Sequence, residues 1–300
     1  MTELLEARAD GSHATARRLL DSAAARSHDP ETEIDWAAPL DPDQHGLNPE
    51  WSTLYGTALW DEVSHEQRVR LTRHEVCSIM STGIWFEMIL QQMVLRDQYA
   101  ADPADPGFRF ALSEIGDECR HSIMFARACE TMGIHPSVPP RLALELGRFF
   151  KTVASAESAY GGILVAEEVL DVMQRDWMRG EDVLPLVRET SRIHVVEESR
   201  HMKFARQEMR ERLAGAGRTR RHLSAWLIAA SAQVIVGNMV HEGVYAAAGL
   251  DPERAVREAR HNEHHHAMVR SSCAHLMDFL GQVGLLTRPA TAMYQRVHML

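Results

Sequence analysis

One five-residue string that occurs twice constrains this chain more than any other feature. Asp117-Glu-Cys-Arg-His121 matches Glu197-Glu-Ser-Arg-His201, and each is followed shortly by Phe-Ala-Arg (Phe125 to Arg127, Phe204 to Arg206). Glu118 and Glu198 are 80 residues apart, as are His121 and His201, and a step of 80 back from Glu167 lands on Glu87. Each half therefore offers a lone glutamate and, 31 residues later, a Glu-x-x-His pair. Self-similarity at a fixed period marks a repeated structural unit.

Helical geometry gives the spacing a chemical meaning. Glu and His three residues apart share one helix face and can reach one point. A turn signal near Pro103 lies about midway between Glu87 and Glu118, and another near Asp182 lies about midway between Glu167 and Glu198. In an antiparallel hairpin the lone Glu then stands level with the Glu-x-x-His pair. Two such hairpins bring four carboxylates and two imidazoles to the centre of a bundle, the ligand set of carboxylate-bridged di-metal proteins. Hard oxygen donors with some imidazole suit two iron ions, with manganese as the alternative, better than a structural zinc.

The bland alternative is a solvated helix face stitched by Glu–Arg pairs. It fails for Glu87, which sits within Gly83-Ile-Trp-Phe-Glu-Met-Ile-Leu90, and for Glu167, which follows Gly161-Gly-Ile-Leu-Val-Ala166. A carboxylate among such residues is costly to bury unless it is paired or metal-bound. His194 lies four residues before Glu198 and seven before His201, on the same stripe, and is read as a third imidazole ligand; its counterpart 80 residues earlier is Glu114. Asp171, one turn from Glu167, is either a hydrogen-bond partner for a ligand histidine or an ordinary surface aspartate. Glu168 points about 100° away from Glu167 and is not taken as a ligand.

The expected fold is all-α: a ferritin-like four-helix bundle with a di-metal core and additional C-terminal helices. Residues 1–60 form an N-terminal extension, partly irregular, with a polar helix over Glu3 to Arg26 and an acidic stretch from His28 to Pro49. Residues 61–285 hold the bundle, and 286–300 a tail. Ser64 and Gln67 have capping-box spacing for a helix to about Tyr99. Further helices are predicted over Phe108 to Met132, Arg141 to Arg179, Leu186 to Gly215, Arg221 to Gly249 and Asp251 to Gly281, the last with an N-cap Asp and a Pro at its first position.

A formal charge of −10 argues against a nucleic-acid partner, because phosphate binding wants a basic face. The apolar run Ala225 to Val240 is interrupted by Ser231, Gln233 and Asn238, so it reads as a core helix and not a membrane span. The first ten residues are charged and unlike a signal peptide. Cys77, Cys119, Cys129 and Cys273 form no CxxC pair and read as buried small residues in a reducing cytoplasm. Within His261-Asn-Glu-His-His-His266 adjacent side chains diverge by about 100°, so the run is read as a solvated helix face. His241 is read as a core histidine that could alternatively line a substrate pocket, and the methionines as core filler.

With these residues the chain resembles the AurF-like arylamine N-oxygenases, the ferritin-like di-iron family that includes p-aminobenzoate N-oxygenase. The hallmark is an extra histidine in a His-x-x-x-Glu-x-x-His run, present as His194-Val-Val-Glu-Glu198-Ser-Arg-His201. The resemblance implies Glu87, Glu118, His121, Glu167, Glu198 and His201 as metal ligands, with His194 as the seventh. It implies O2-dependent oxidation of an aromatic amine through hydroxylamine and nitroso stages to a nitro group. Electrons would come from an external ferredoxin or reductase, and the expected assembly is a cytoplasmic homodimer. A di-iron C–H hydroxylase or desaturase is the enzyme alternative, and a ferritin-like iron-binding protein the non-enzyme one. A radical-generating ribonucleotide reductase subunit would carry tyrosine where this chain has Phe125.

Overall fold

The computed structural model describes residues 2–154 and 156–300. The described residues form helices joined by short loops, with no strand among them. A first helix, α1 (Thr2–Ala25), is followed by the short α2 (Pro30–Glu33), a 3-10 turn at Pro49–Trp51 and α3 (Ala58–Glu62). Then come α4 (His65–Gln98) and α5 (Pro106–Thr131), α6 (Arg141–Val153), α7 (Ala156–Trp177) and α8 (Pro185–Ala214). The chain ends with α9 (Arg218–Gly237), α10 (Gly243–Ala247), α11 (Pro252–Arg260), α12 (Glu263–Gln282) and α13 (Arg288–Arg296).

Two antiparallel hairpins, α4–α5 and α7–α8, pack through α4 on α7 and α5 on α8. This is the expected four-helix bundle. The Ser64–Gln67 capping box opens α4, and Asp105 caps α5 ahead of Pro106 at its first position. The bundle core is large and apolar, with Trp177, Tyr160, Phe110 and Phe125 fully buried. Burying each such ring contributes roughly 2–3 kcal/mol.

The first fifty residues pack on the bundle. Helix α1 lies on α5 and α8, and Leu19, Ile34, Leu47 and Trp51 join the main core. Two side chains pin the segment to α7: Asn48 Nδ2 and Trp51 Nε1 donate to Asp176 Oδ2 at 2.6 and 2.8 Å. His45 exchanges backbone hydrogen bonds with the turn before α8, at Asp182 and Leu184.

Three long predicted helices are broken, each because another element takes over the backbone. The span Arg141 to Arg179 ends a first helix at Val153; Ala154 is non-helical (ψ 126°), and the Arg96 guanidinium donates to the carbonyls of Lys151, Thr152 and Ala154. The span Arg221 to Gly249 stops at Gly237, where Thr82 and Ser78 of α4 donate to the carbonyls of Asn238 and Met239. The span Asp251 to Gly281 splits at Asn262, whose side-chain oxygen caps α12 while its nitrogen donates to Thr53 and Tyr55 carbonyls. The predicted tail is also helical: α13 starts at a Thr287 cap and packs buried Tyr294 against the main core.

Other expectations are corrected by packing. Cys119 is exposed, unlike the other three cysteines. The His264–His266 run is not a solvated face: His264 Nε2 bonds the Glu50 carbonyl, and buried His266 stacks on His298 with ring centroids 3.4 Å apart. His241 is exposed, at the rim of a cavity and outside the core. No helix among the described residues is long and apolar enough to cross a membrane.

Glu75 offers a test of how the N-terminal segment is held to the bundle. Fully buried in α4, its Oε1 accepts from the Thr53 amide at 2.9 Å and from the Thr53 hydroxyl, while Oε2 has no partner. Burial pushes the carboxyl up to about 7 despite the Thr53 hydrogen bonds. A raised folded-state value means the stabilising protonated form is fully present below about pH 4.5 and lost as the pH rises through about 7. Relative to Glu75→Gln, the wild type is expected to lose on the order of 3 kcal/mol between pH 4.5 and 8, at about 1.4 kcal/mol per unit. Urea denaturation of both proteins across that range checks it; parallel pH profiles refute it.

Candidate metal centre

All seven residues singled out by the repeat converge inside the bundle. Glu87 comes from α4, Glu118 and His121 from α5, Glu167 from α7, and His194, Glu198 and His201 from α8, each buried to within 3% of full exclusion. His121 Nδ1 lies 3.1 Å from Glu118 Oε2 and 3.2 Å from Glu198 Oε1. His201 Nδ1 lies 2.9 Å from Glu198 Oε1 and 3.3 Å from Glu118 Oε1. Glu118 and Glu198 thus stand between the two imidazoles, while Glu87 and Glu167 close the cluster from the other hairpin strands.

His194 faces the same point. Its Nε2 is 3.8 Å from Glu87 Oε1, 3.7 Å from Glu167 Oε2 and 3.9 Å from Glu198 Oε1, with no hydrogen-bond partner. Its Nδ1 is 2.7 Å from Gln174 Oε1, so Nδ1–H donates and the Nε2 lone pair points inward. Phe125 and His121 lie beside the ring, tilted against it, with centroids 4.9 and 4.7 Å away.

The outer nitrogens of the other two imidazoles are held by residues the sequence reading left without a role. His121 Nε2 donates to Glu197 Oε2 at 2.8 Å, and His201 Nε2 donates to Asp117 Oδ2 at 3.1 Å. Each histidine is held by the acid that precedes the glutamate of the opposite motif, so the two strings interlock. The signal was in the repeat: Asp117 and Glu197 keep the same 80-residue offset. Arg200, itself buried, lies 3.6 Å from both acids, and Arg120 bonds Asp117. The amide of His28 also donates to Glu197, at 3.2 Å, so the N-terminal segment closes over this side.

Asp171 does not play this part. Its Oδ2 accepts from Arg175 Nε at 2.7 Å, one turn along the same helix, and the imidazole nitrogens are taken by Asp117, Glu197 and Gln174. Glu168 is turned away from the cluster and receives Arg206 Nε at 2.8 Å. Glu114, the counterpart of His194, is wholly buried beside Glu118 and His201 with both oxygens unpartnered.

The electrostatics are those of a site short of positive charge. Burial pushes Glu87 and Glu167 well above the usual carboxylate range; the charge of Glu118 adds most to the first and that of Glu198 to the second. Burial also opposes charge on Glu198, but His201 and His121 more than reverse it and hold it well down. For His121 and His201, burial favours the neutral ring, yet their carboxylate partners keep both well above the ordinary histidine range. His194 has no such partner at Nε2, and burial with His121 nearby pulls it down to about 3. Unpaired, inward-facing oxygens remain on Glu87, Glu118, Glu167 and Glu198. Ligand atoms of Glu87, His121 and His194, of Glu118, His121 and Glu198, and of Glu167, His194 and Glu198 lie within 4.8 Å of one another in each group. Such buried groups could hold metal ions, and the donor set is that of two hard cations.

Uncharacterised proteins of Mycobacterium tuberculosis and Mycobacterium bovis are each 28% identical to the chain over 211 residues, 68% of this chain and 62% of theirs. The aligned part thus spans less than two thirds of the length of these relatives. The model of one family, described as p-aminobenzoate N-oxygenase AurF, matches residues 9–284. That span takes in every residue of the cluster and nearly the whole chain, and the protein belongs to the AurF family of oxygenases.

Proposed function

We propose that the chain is an O2-dependent di-iron oxygenase that oxidises the nitrogen of an aryl amine. The observation that carries this reading is His194 Nε2, buried, unprotonated and unpartnered, aimed at three carboxylates that need a cation. The residues to hold two iron ions, or manganese in their stead, are Glu87, Glu118, His121, Glu167, His194, Glu198 and His201. When bound, the metals supply electrons for O2 reduction and Lewis acidity that no side chain here provides.

The protein's own part is charge, orientation and exclusion of water. Four carboxylates balance the four positive charges of two divalent ions. Asp117 and Glu197 accept hydrogen bonds from the Nε2–H groups of His201 and His121 and keep the proton there, so the Nδ1 lone pairs face inward once the Nδ1 proton leaves. Gln174 fixes the opposite tautomer for His194. Phe110 and Phe125 stand against His201 and His194, keeping that wall of the site apolar.

A substrate site is offered by a cavity of about 620 Å3 between α4, α6 and α9. Trp85, Phe86, Ile89, Leu144 and Ile235 give it apolar walls, and Arg148 and Lys151 add positive charge. Such a lining suits a flat ring bearing an anionic group, even in an acidic protein. Phe86 lines it from the residue before Glu87. Each amine-to-hydroxylamine step consumes one O2, two electrons and two protons, with water as the second product, so an external electron donor is required.

Three outcomes test the reading. Glu118→Ala and His201→Ala each lose most of the roughly two iron ions expected per chain; full retention in both, by metal analysis, removes the ligand assignment. His194→Ala keeps the fold but changes the optical spectrum that develops when the ferrous protein is mixed with O2; an unaltered spectrum and decay would make His194 a packing residue. Reduced, iron-loaded protein given O2 and a panel of arylamines yields hydroxylamine, nitroso or nitro products by mass, with Glu118→Ala silent. Hydroxylation at carbon would retain the di-iron oxygenase and discard the N-oxygenase, while iron oxidation with no amine consumed would favour storage.

A further inference from the structure

The two halves of the repeat are matched at Glu87 and Glu167, Asp117 and Glu197, Glu118 and Glu198, and His121 and His201, and they differ at a position with metal-binding side chains in both halves. Where α8 has His194, α5 has Glu114. Glu114 has no exposed surface, and neither of its oxygens has a hydrogen-bond partner. One of its oxygens lies within 4.8 Å of the ligand atoms of Glu118 and His201. The nearby Tyr160 hydroxyl donates elsewhere, to Asp97 Oδ2 at 3.2 Å. Other buried carboxylates away from the cluster have a partner on at least one oxygen: Glu75 receives Thr53, Glu157 receives Arg220 and Ser224, and Glu168 receives Arg206. A buried carboxylate without a partner is a rarity that calls for a cation.

We propose that Glu114 is an eighth ligand, to the metal held by His201, so that the two metal sites are chemically unlike. The inference rests on the di-metal reading above. One site would be nitrogen-rich, with His121 and His194 beside Glu87. The other would be oxygen-rich, with a single imidazole, His201, beside Glu114 and Glu118. Glu118 and Glu198 stand between them. Five carboxylates around two divalent ions leave one excess negative charge at the His201 end. That end then discriminates less against manganese relative to cobalt than the nitrogen-rich end does, and it favours ferric over ferrous iron.

The test uses the full chain stripped of metal by chelation, as wild type, Glu114→Gln and Glu114→Asp. Each is titrated anaerobically with Mn(II), followed by electron paramagnetic resonance, and with Co(II), followed by its visible absorption. Wild type is expected to bind two ions. Glu114→Gln keeps one affinity and weakens the other at least about 10-fold, with altered Co(II) bands, and Glu114→Asp falls between. The melting temperature of the stripped Glu114→Gln protein is expected to equal or exceed that of wild type, because the substitution removes a buried carboxyl that has no partner and whose ionisation burial opposes. Two ions bound by Glu114→Gln with wild-type affinities and an unchanged Co(II) spectrum would overturn the proposal alone. So would a lowered melting temperature with metal binding intact, which marks a structural role. If Glu114→Gln does not fold, Glu114→Asp decides by the same readouts. No metal uptake by the wild type would overturn the di-metal reading itself, and this inference with it.

Discussion

Four glutamates buried around one point repel one another when ionised, and the rest of the site is arranged to hold them there. In water such a group of charges would separate. Inside the bundle they cannot, because Glu87 and Glu167 are carried by the long helices α4 and α7, whose opposite faces pack in the core. Histidines supply the counter-charge within the protein. His121 and His201 each lie within about 3.3 Å of both Glu118 and Glu198, which is why those imidazoles stay protonated and Glu198 stays ionised in the chain alone. A metal ion entering such a site replaces protons on Nδ1, so metal binding and proton release are one event.

The interlocked strings show how the orientation is kept. Were each histidine held by an acid of its own helix, the hairpins could slide past each other without loss. Here His121 on α5 is held by Glu197 on α8, and His201 on α8 by Asp117 on α5. Sliding the helices by one turn would break both bonds and leave four buried polar groups unpaired, at about 1–3 kcal/mol each. Arg200 and the amide of His28 add a further layer over these acids, where helix α1 and the segment after it pack on α5 and α8.

The centre was legible in the sequence because helical periodicity and the 80-residue offset both act on it. A ligand must recur at a spacing that brings it back to one face, and a duplicated unit prints that spacing twice. The same offset held the roles of Asp117 and Glu197, but acids beside a Glu-x-x-His pair look like solubilising surface until the opposite helix is known to face them. Asp171, for the converse reason, carries two readings in the sequence. Its position one turn from Glu167 is right for the cluster in sequence, yet Arg175, equally close along the helix, captures it. Local spacing cannot choose between two partners at the same distance.

The helix breaks were illegible for a different reason, and they matter to function. Ala154 carries no proline or turn signature and Gly237-Asn238 only a short one, and each break is held by a side chain from α4: Arg96 at the end of α6, Ser78 and Thr82 at the end of α9. Without those donors the freed carbonyls would favour continued helix, and α6 would run straight into α7 along the bundle. Turned aside at Ala154, α6 instead leans against α4 and α9 and buries none of its residues, exposing Leu142, Leu146, Phe149 and Val153. The space it leaves is the 620 Å3 cavity, with Thr82 on its wall and His241 and Glu242 at the end of the second break. One helix, α4, therefore does two things with its two faces. Glu87 looks inward to the carboxylate cluster, and Thr82, Phe86 and Ile89 look outward to the cavity.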